Sequence, residues 1–119
     1  MEKYKIGLQV HSVREAFTAD PKDTMKKIAA MGYGGVEMNL WALNYDIHEY
    51  VEGLAEAGLE GYSCMTSLKR LEPEQLPTTL EHLKALNSKL VVIGSVDYDC
   101  LKEDPAYAEK VVKQMIATM

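Results

Sequence analysis

Long apolar runs, clustered basic residues and paired cysteines are all missing from this chain, and each absence removes a class of function. No apolar stretch is long enough to span a bilayer, and the opening MEKYK is charged and leads directly into a strand pattern without the apolar core of a signal peptide. The expected setting is cytoplasmic, without membrane contact. Lys and Arg number 13 against 18 Asp and Glu, for a net charge of -5, and no basic cluster interrupts that balance. Nucleic-acid binding rests largely on neutralising phosphates and is not expected. A small neutral or anionic metabolite stays open, because a local field differs from a net charge. Cys64 and Cys100 are the only 2 cysteines, with no CxxC spacing and no companion His cluster, so neither a disulfide framework nor a zinc site is signalled and two reduced thiols are expected. No Ser-His-Asp arrangement, HExxH helix or phosphate-cradling glycine loop occurs. The glycines of GYGG end a helix instead of opening one, which excludes a dinucleotide fingerprint.

What is present is a regular alternation of strand and helix patterns. In KIGLQVH, residues 5–11, Ile6, Leu8 and Val10 share one face and Gly7, Gln9 and His11 the other. A helix follows from the cap Asp20 and Pro21, carries Met25, Ile28 and Ala29 on one stripe, and stops at Gly32. GVEMN is a second strand with Val36 and Met38 on one side and Gly35, Glu37 and Asn39 on the other. DIHE is a capping box from Asp46 to Glu49, opening a helix with Val51, Leu54 and Ala55 on its stripe that ends at Gly58. EGYSCMT is a third strand, and Pro77 to Leu86 a third helix bearing Leu80, Leu83 and Leu86. KLVVIGS reads as a fourth strand of the buried parallel type, and a last helix capped by Asp104 runs through Val111, Val112, Met115 and Ile116. His48 and His82 fall on helices and are expected at the surface.

IAAMGYGGVEM and LAEAGLEGYSC align without gaps at a spacing of 26 residues, matching Gly32 with Gly58, Gly35 with Gly61, Glu37 with Ser63 and Asn39 with Met65. The first glycine of each copy supplies a left-handed helix stop, and the second allows close backbone packing where the strand begins. The order β-α-β-α-β-α-β-α, without linker or low-complexity tract, forces parallel strands joined by right-handed crossovers. An open doubly wound sheet would be apolar on both faces. A closed barrel is apolar toward its helices and polar toward its mouth. Gln9, His11, Glu37, Asn39 and Ser63 all fall on the face opposite the apolar one, which favours the barrel and gives Glu37 a reason to stand among apolar neighbours. The fold class expected is α/β, a parallel (β/α)4 half of a TIM barrel occupying residues 1–119 as one unit, since a full barrel takes about 250 residues.

At GLQVHSVRE, DPKDTMKKIAAMGYGGVEM and GLEGYSCMTSLKRL the chain resembles the sugar phosphate isomerase/epimerase family of the xylose-isomerase-like barrel superfamily, over the first half of that fold. The resemblance implies a metal-dependent isomerase or epimerase that moves a proton between adjacent carbons of a sugar or sugar phosphate through an enediolate. It implies a divalent metal (Mn, Mg, Co or Zn) whose Glu, Asp and His ligands come from the second half, so no metal ligand and no catalytic residue is assigned here. Many relatives carry a His near the end of strand three, where this chain has Met65, a poor ligand for a hard metal. The DNA-repair endonuclease branch of the superfamily lacks support, because the basic groove and extra ligand histidines are absent.

The substrate-binding candidates are Glu37, as a hydroxyl acceptor or an orienter of other groups, and His11, on the same face. Trp41 lies just past strand two, where its ring can stack on a sugar; Gln9 is expected mainly to bridge strands one and two, and Asn39 to stand at a strand end. Ser95 carries low weight, and Asp97 and Asp99 read as a solvated loop before they read as a cation site. Four β/α units leave two strand edges and one inner face open, so the expectation is a truncated copy of a full enzyme, two copies pairing their edges, or an open sheet that aggregates. The isolated chain is expected to be inactive, and a homodimer completing the barrel is the partner favoured beside a small-molecule sugar or sugar phosphate. The alternative from another class is a non-catalytic half-barrel that binds itself or a partner.

Overall fold

A computed structural model describes residues 5–41, 45–94 and 98–118. The elements, in order, are β1 (Gly7–Gln9), α1 (Arg14–Ala19), α2 (Pro21–Ala30), β2 (Gly35–Asn39), α3 (Ile47–Ala57), β3 (Glu60–Thr66), α4 (Leu76–Ala85), β4 (Val91–Ile93), α5 (Tyr98–Glu103) and α6 (Tyr107–Thr118), with single 3-10 turns at Val10–Val13 and Leu68–Leu71. The strands form one parallel sheet in the order β1-β2-β3-β4. Sequential order without reversal is what a singly wound barrel requires; a doubly wound sheet changes direction at a switch point. The fold is therefore the (β/α)4 half of a barrel.

Helix limits follow local chemistry. Asp20 Oδ1 accepts from Asp23 N–H at 3.0 Å to open α2, with Pro21 in the first turn. Asp46 Oδ1 accepts from His48 and Glu49 N–H to open α3. The matched glycines of the internal echo both take left-handed backbone, Gly32 at φ 101° and Gly58 at φ 70°. Their partners Glu37 and Ser63, and Asn39 and Met65, pair across β2 and β3, so the echo places equivalent residues at one level of the sheet.

The core lies between the sheet and its helices. Val36, Met38, Leu40 and Cys64 are fully buried from the sheet side, and Met25, Ile28, Leu54 and Phe17 meet them from the helices. Each such side chain contributes about 1.5–3 kcal/mol by leaving water. Lys22 Nζ ties α2 to α3 through Glu52 at 2.8 Å and Glu56 at 3.4 Å, a solvent-facing pair of modest worth.

Several sequence expectations change. The first strand ends at Gln9, because the chain turns at Val10, sinks that side chain into the core and leaves His11 exposed on the turn. Two short helices, α1 and α5, were not signalled by any long stripe. The fourth strand is short and uncovered: Leu90 and Val91 are exposed, since its outer neighbour is not in this chain's sheet. Leu80, Val112 and Ile116 face outward, while Leu83 and Leu86 of the α4 stripe and Val111 of the α6 stripe are buried. Ser95 and Asp97 lie outside the described residues.

Candidate functional site

Alternation along β1 and β2 puts Gln9 and Glu37 on the inner face, opposite the helices, and parallel register pairs them. Gln9 Nε2 donates to Glu37 Oε1 at 2.8 Å, and Ser63 Oγ donates to Glu37 Oε2 at 2.6 Å. One carboxylate thus joins three strands. Glu37 is half-buried and Ser63 buried, so both oxygens are held by dedicated donors where an unpaired charge would be costly. A carboxylate has about four lone-pair directions, so acceptor capacity remains for a further donor.

Below this layer the inner face is closed by Tyr62. The pairing of β2 with β3 slips between Val36 and Glu37, so that Gly61 faces Val36 while Ser63 faces Glu37 and Tyr62 is the extra residue. Its ring lies over the backbone of Gly7 and Gly35. A Cβ added at Gly35 would stand 2.5 Å from Glu60 O and 2.7 Å from the Tyr62 ring, so only glycine admits this packing.

Above the layer, Asn39 follows Glu37 on the same face, about 7 Å further along the strand. Its Oδ1 accepts from Trp41 N–H at 3.0 Å, fixing the start of the loop. Val10, His11, Arg14, Phe17, Thr18, Asn39, Trp41 and Tyr50 line a cleft of about 170 Å³ here. His11, Asn39 and Trp41 therefore meet, although His11 arrives from a turn and not from the strand. Trp41 is 41% exposed and its ring edge approaches Gly94, where Met65 also packs. Gln9 and Glu37 do not line this cleft; they meet each other and Ser63 in the layer below it. Arg14 is the lining residue that the strand pattern could not reveal, because it belongs to a turn and a six-residue helix.

A second polar group lies in the helical layer. Arg70 Nη2 donates to Tyr45 Oη, and Tyr45 Oη lies 2.6 Å from His82 Nδ1. With Tyr45 donating, His82 accepts at Nδ1 and carries its proton on Nε2. Burial, and then the Arg70 charge, hold His82 below its ordinary pKa, and burial pushes the Tyr45 hydroxyl up against the pull of Arg70. His82 is thus a partnered, half-buried residue and not the surface residue the helix pattern suggested. Arg70 is 5% exposed, and its Nε has no hydrogen-bond partner among the described residues. Burial also raises the Cys64 thiol, which is free and remains an inert core group.

Among the described residues no three His, Cys, Asp or Glu side chains converge to hold a metal. Glu37 has both oxygens engaged by Gln9 and Ser63 and no second carboxylate, His or Cys pair joins it among the described residues, which by themselves do not fit a divalent metal. No described helix is long and apolar enough to cross a membrane.

No protein-family profile and no curated protein matches the chain. Among solved structures, the crystal structure of a sugar phosphate isomerase/epimerase from Parabacteroides distasonis matches it with a TM-score of 0.58 at 17% identity, over 96% of this chain and 47% of that one. The chain thus spans about half the length of that structure. At this identity the likeness concerns the fold alone: the chain is folded like about half of that structure.

Proposed function

We propose that this chain forms the substrate-binding half of a sugar or sugar-phosphate isomerase/epimerase barrel. The observation that carries the reading is Glu37, a carboxylate on the inner sheet face with each oxygen held by a separate strand. Such a group accepts a sugar hydroxyl in a fixed direction without moving, which is the pre-positioning that orientation-dependent catalysis needs. Trp41 offers an aromatic face at the mouth for the apolar side of the sugar ring, and Asn39 stands between them. The reaction of the assembled barrel is proton movement between adjacent carbons through an enediolate. No residue of this chain is assigned to that transfer, and the divalent metal implied by the family resemblance has no shell among the described side chains.

Titration of the chain with aldoses, ketoses and their phosphates tests the reading through Trp41 fluorescence, the chain having 1 Trp. Glu37→Gln is expected to weaken sugar binding about tenfold, the worth of a hydrogen bond to a charged group. Sugars that leave the signal unchanged, or bind Glu37→Gln equally well, refute it. Solvent deuterium entering the carbon beside the carbonyl, followed by NMR in the assembled barrel, tests the reaction class.

A second reading is that two copies pair their open edges into eight strands and act without catalysis. Exposed Leu90 and Val91 at the edge strand β4 and exposed Val112 and Ile116 on α6 favour it, since they leave apolar surface uncovered. Light scattering at micromolar concentration should give twice the 13.3 kDa chain mass, and a strictly monomeric mass rejects this reading.

A further inference from the structure

We propose that the cleft between the Val10–Val13 turn and Trp41 is an anion subsite in which Arg14, assisted by His11 and Asn39, holds a phosphate group. The inference rests on the sugar-binding reading above and adds to it the residue that would recognise a charged end of the substrate.

Charge is the first argument. The chain carries 18 acidic residues against 13 Lys and Arg, yet no Asp or Glu is among the residues lining this cleft. Lys5, Lys22, Lys26, Lys27, Lys110 and Lys113 are ion-paired; Arg14, like Lys69, Arg70, Lys84, Lys89 and Lys102, forms no ion pair among the described residues, and of these only Arg14 lines the cleft. Its one hydrogen bond there is from Nη1 to the His11 carbonyl at 3.2 Å, which anchors the side chain beside the cleft. A guanidinium has five N–H donors in a planar fork, so donors suited to two phosphate oxygens remain.

Donor inventory is the second. Asn39 Oδ1 is engaged by Trp41 N–H, which leaves the amide NH₂ as its contribution to the cleft, and Thr18 adds a hydroxyl. Arg14, Asn39 and Thr18 thus offer an anion donors at one side of a cleft whose other walls, Val10, Phe17, Trp41 and Tyr50, are apolar or aromatic. Size is the third. A volume of about 170 Å³ falls below the roughly 300–1,000 Å³ of pockets that enclose whole small ligands, so it suits an end group. Asn39 stands about 7 Å along the strand from Glu37, which lets a phosphate in the cleft and a hydroxyl at Glu37 belong to one short molecule.

The experiment titrates the chain at constant ionic strength with inorganic phosphate, an unphosphorylated ketose and the same ketose as its phosphate, reading Trp41 fluorescence. Inorganic phosphate should saturate the signal. Arg14→Gln should weaken both phosphate-bearing ligands at least tenfold while leaving the ketose unaffected, Arg14→Lys should lose less, and Lys27→Gln should match the parent chain. Arg14 is exposed, and an unchanged thermal midpoint would show that the variant is folded. Phosphate that gives no saturable signal, or binds Arg14→Gln as tightly as the parent, overturns the inference. If the ketose still binds in that case, the sugar-binding reading stands without it. If phosphate binds through Arg14 while neither sugar adds affinity, the anion subsite stands and the sugar-binding reading falls.

Discussion

The body built from β1, β2, β3, α2 and α3 and the segment from β4 to α6 follow the same β/α rule but differ in what covers them. In the first, Val36, Met38, Met25 and Ile28 are within 1% of full burial. In the second, Leu90, Val91, Val112 and Ile116 all face outward, and Val111 alone among the described α6 residues is buried. A parallel strand is stable when helices cover one face and neighbours flank both edges. β2 and β3 meet that condition within this chain. β4 pairs only with β3, as β1 pairs only with β2, and both edge strands are three residues long. The inner-face carboxylate sits on the well-covered body, whereas the cleft is lined mostly by the Val10–Val13 turn and α1, with Asn39, Trp41 and Tyr50 reaching it from β2, the segment after it and α3.

Substitutions can break this contrast or sharpen it. Met38→Ala should cost about 2–5 kcal/mol in urea unfolding, because a fully buried side chain leaves a cavity. Gly35→Ala should cost about 1–3 kcal/mol by forcing the Tyr62 ring and the Glu60 carbonyl apart, read as a shift in denaturation midpoint. Glu37→Leu should cost a similar 1–3 kcal/mol or somewhat less, since Gln9 and Ser63 lose their acceptor; equal stability would mean that water satisfies them instead. Val112→Ala should move monomer stability by no more than about 0.5 kcal/mol, and a loss like that of Met38→Ala would erase the distinction between the two regions. The smallest effect is with pH. His82 has a folded pKa below its ordinary value of about 6.5, so the unfolded chain binds the proton more readily. Its contribution is complete above that value and is lost as pH falls toward the folded pKa. His82→Gln should flatten the stability profile in that window.

The sheet was legible because its signals are local. Period-two alternation in GVEMN and EGYSCMT predicts β2 and β3 at their observed limits, and the echoed Gly32 and Gly58 predict two left-handed helix stops. His11 reads as a strand residue but lies on a turn, because Val10 satisfies a strand pattern and a turn that buries it equally well. KLVVIGS reads as buried because hydrophobicity records what a strand could cover, not which neighbours are at hand. Of the candidate site, Gln9, Glu37 and Ser63 were recoverable from strand phase; Arg14 was not, since a short helix after an unsignalled turn has no periodicity to read.

The amino-acid order by itself determined four parallel strands, their helices and the side of β2 on which Glu37 stands, because backbone repeat and side-chain polarity are properties of neighbouring residues. Tertiary structure alone decided that Tyr62 lies over Gly35, that Arg70, Tyr45 and His82 join in the helical layer, and that His11, Arg14 and Trp41 share a cleft. Those contacts link different elements of the chain, and they depend on a slipped register and a tight turn whose energies are set by packing and not by local preference.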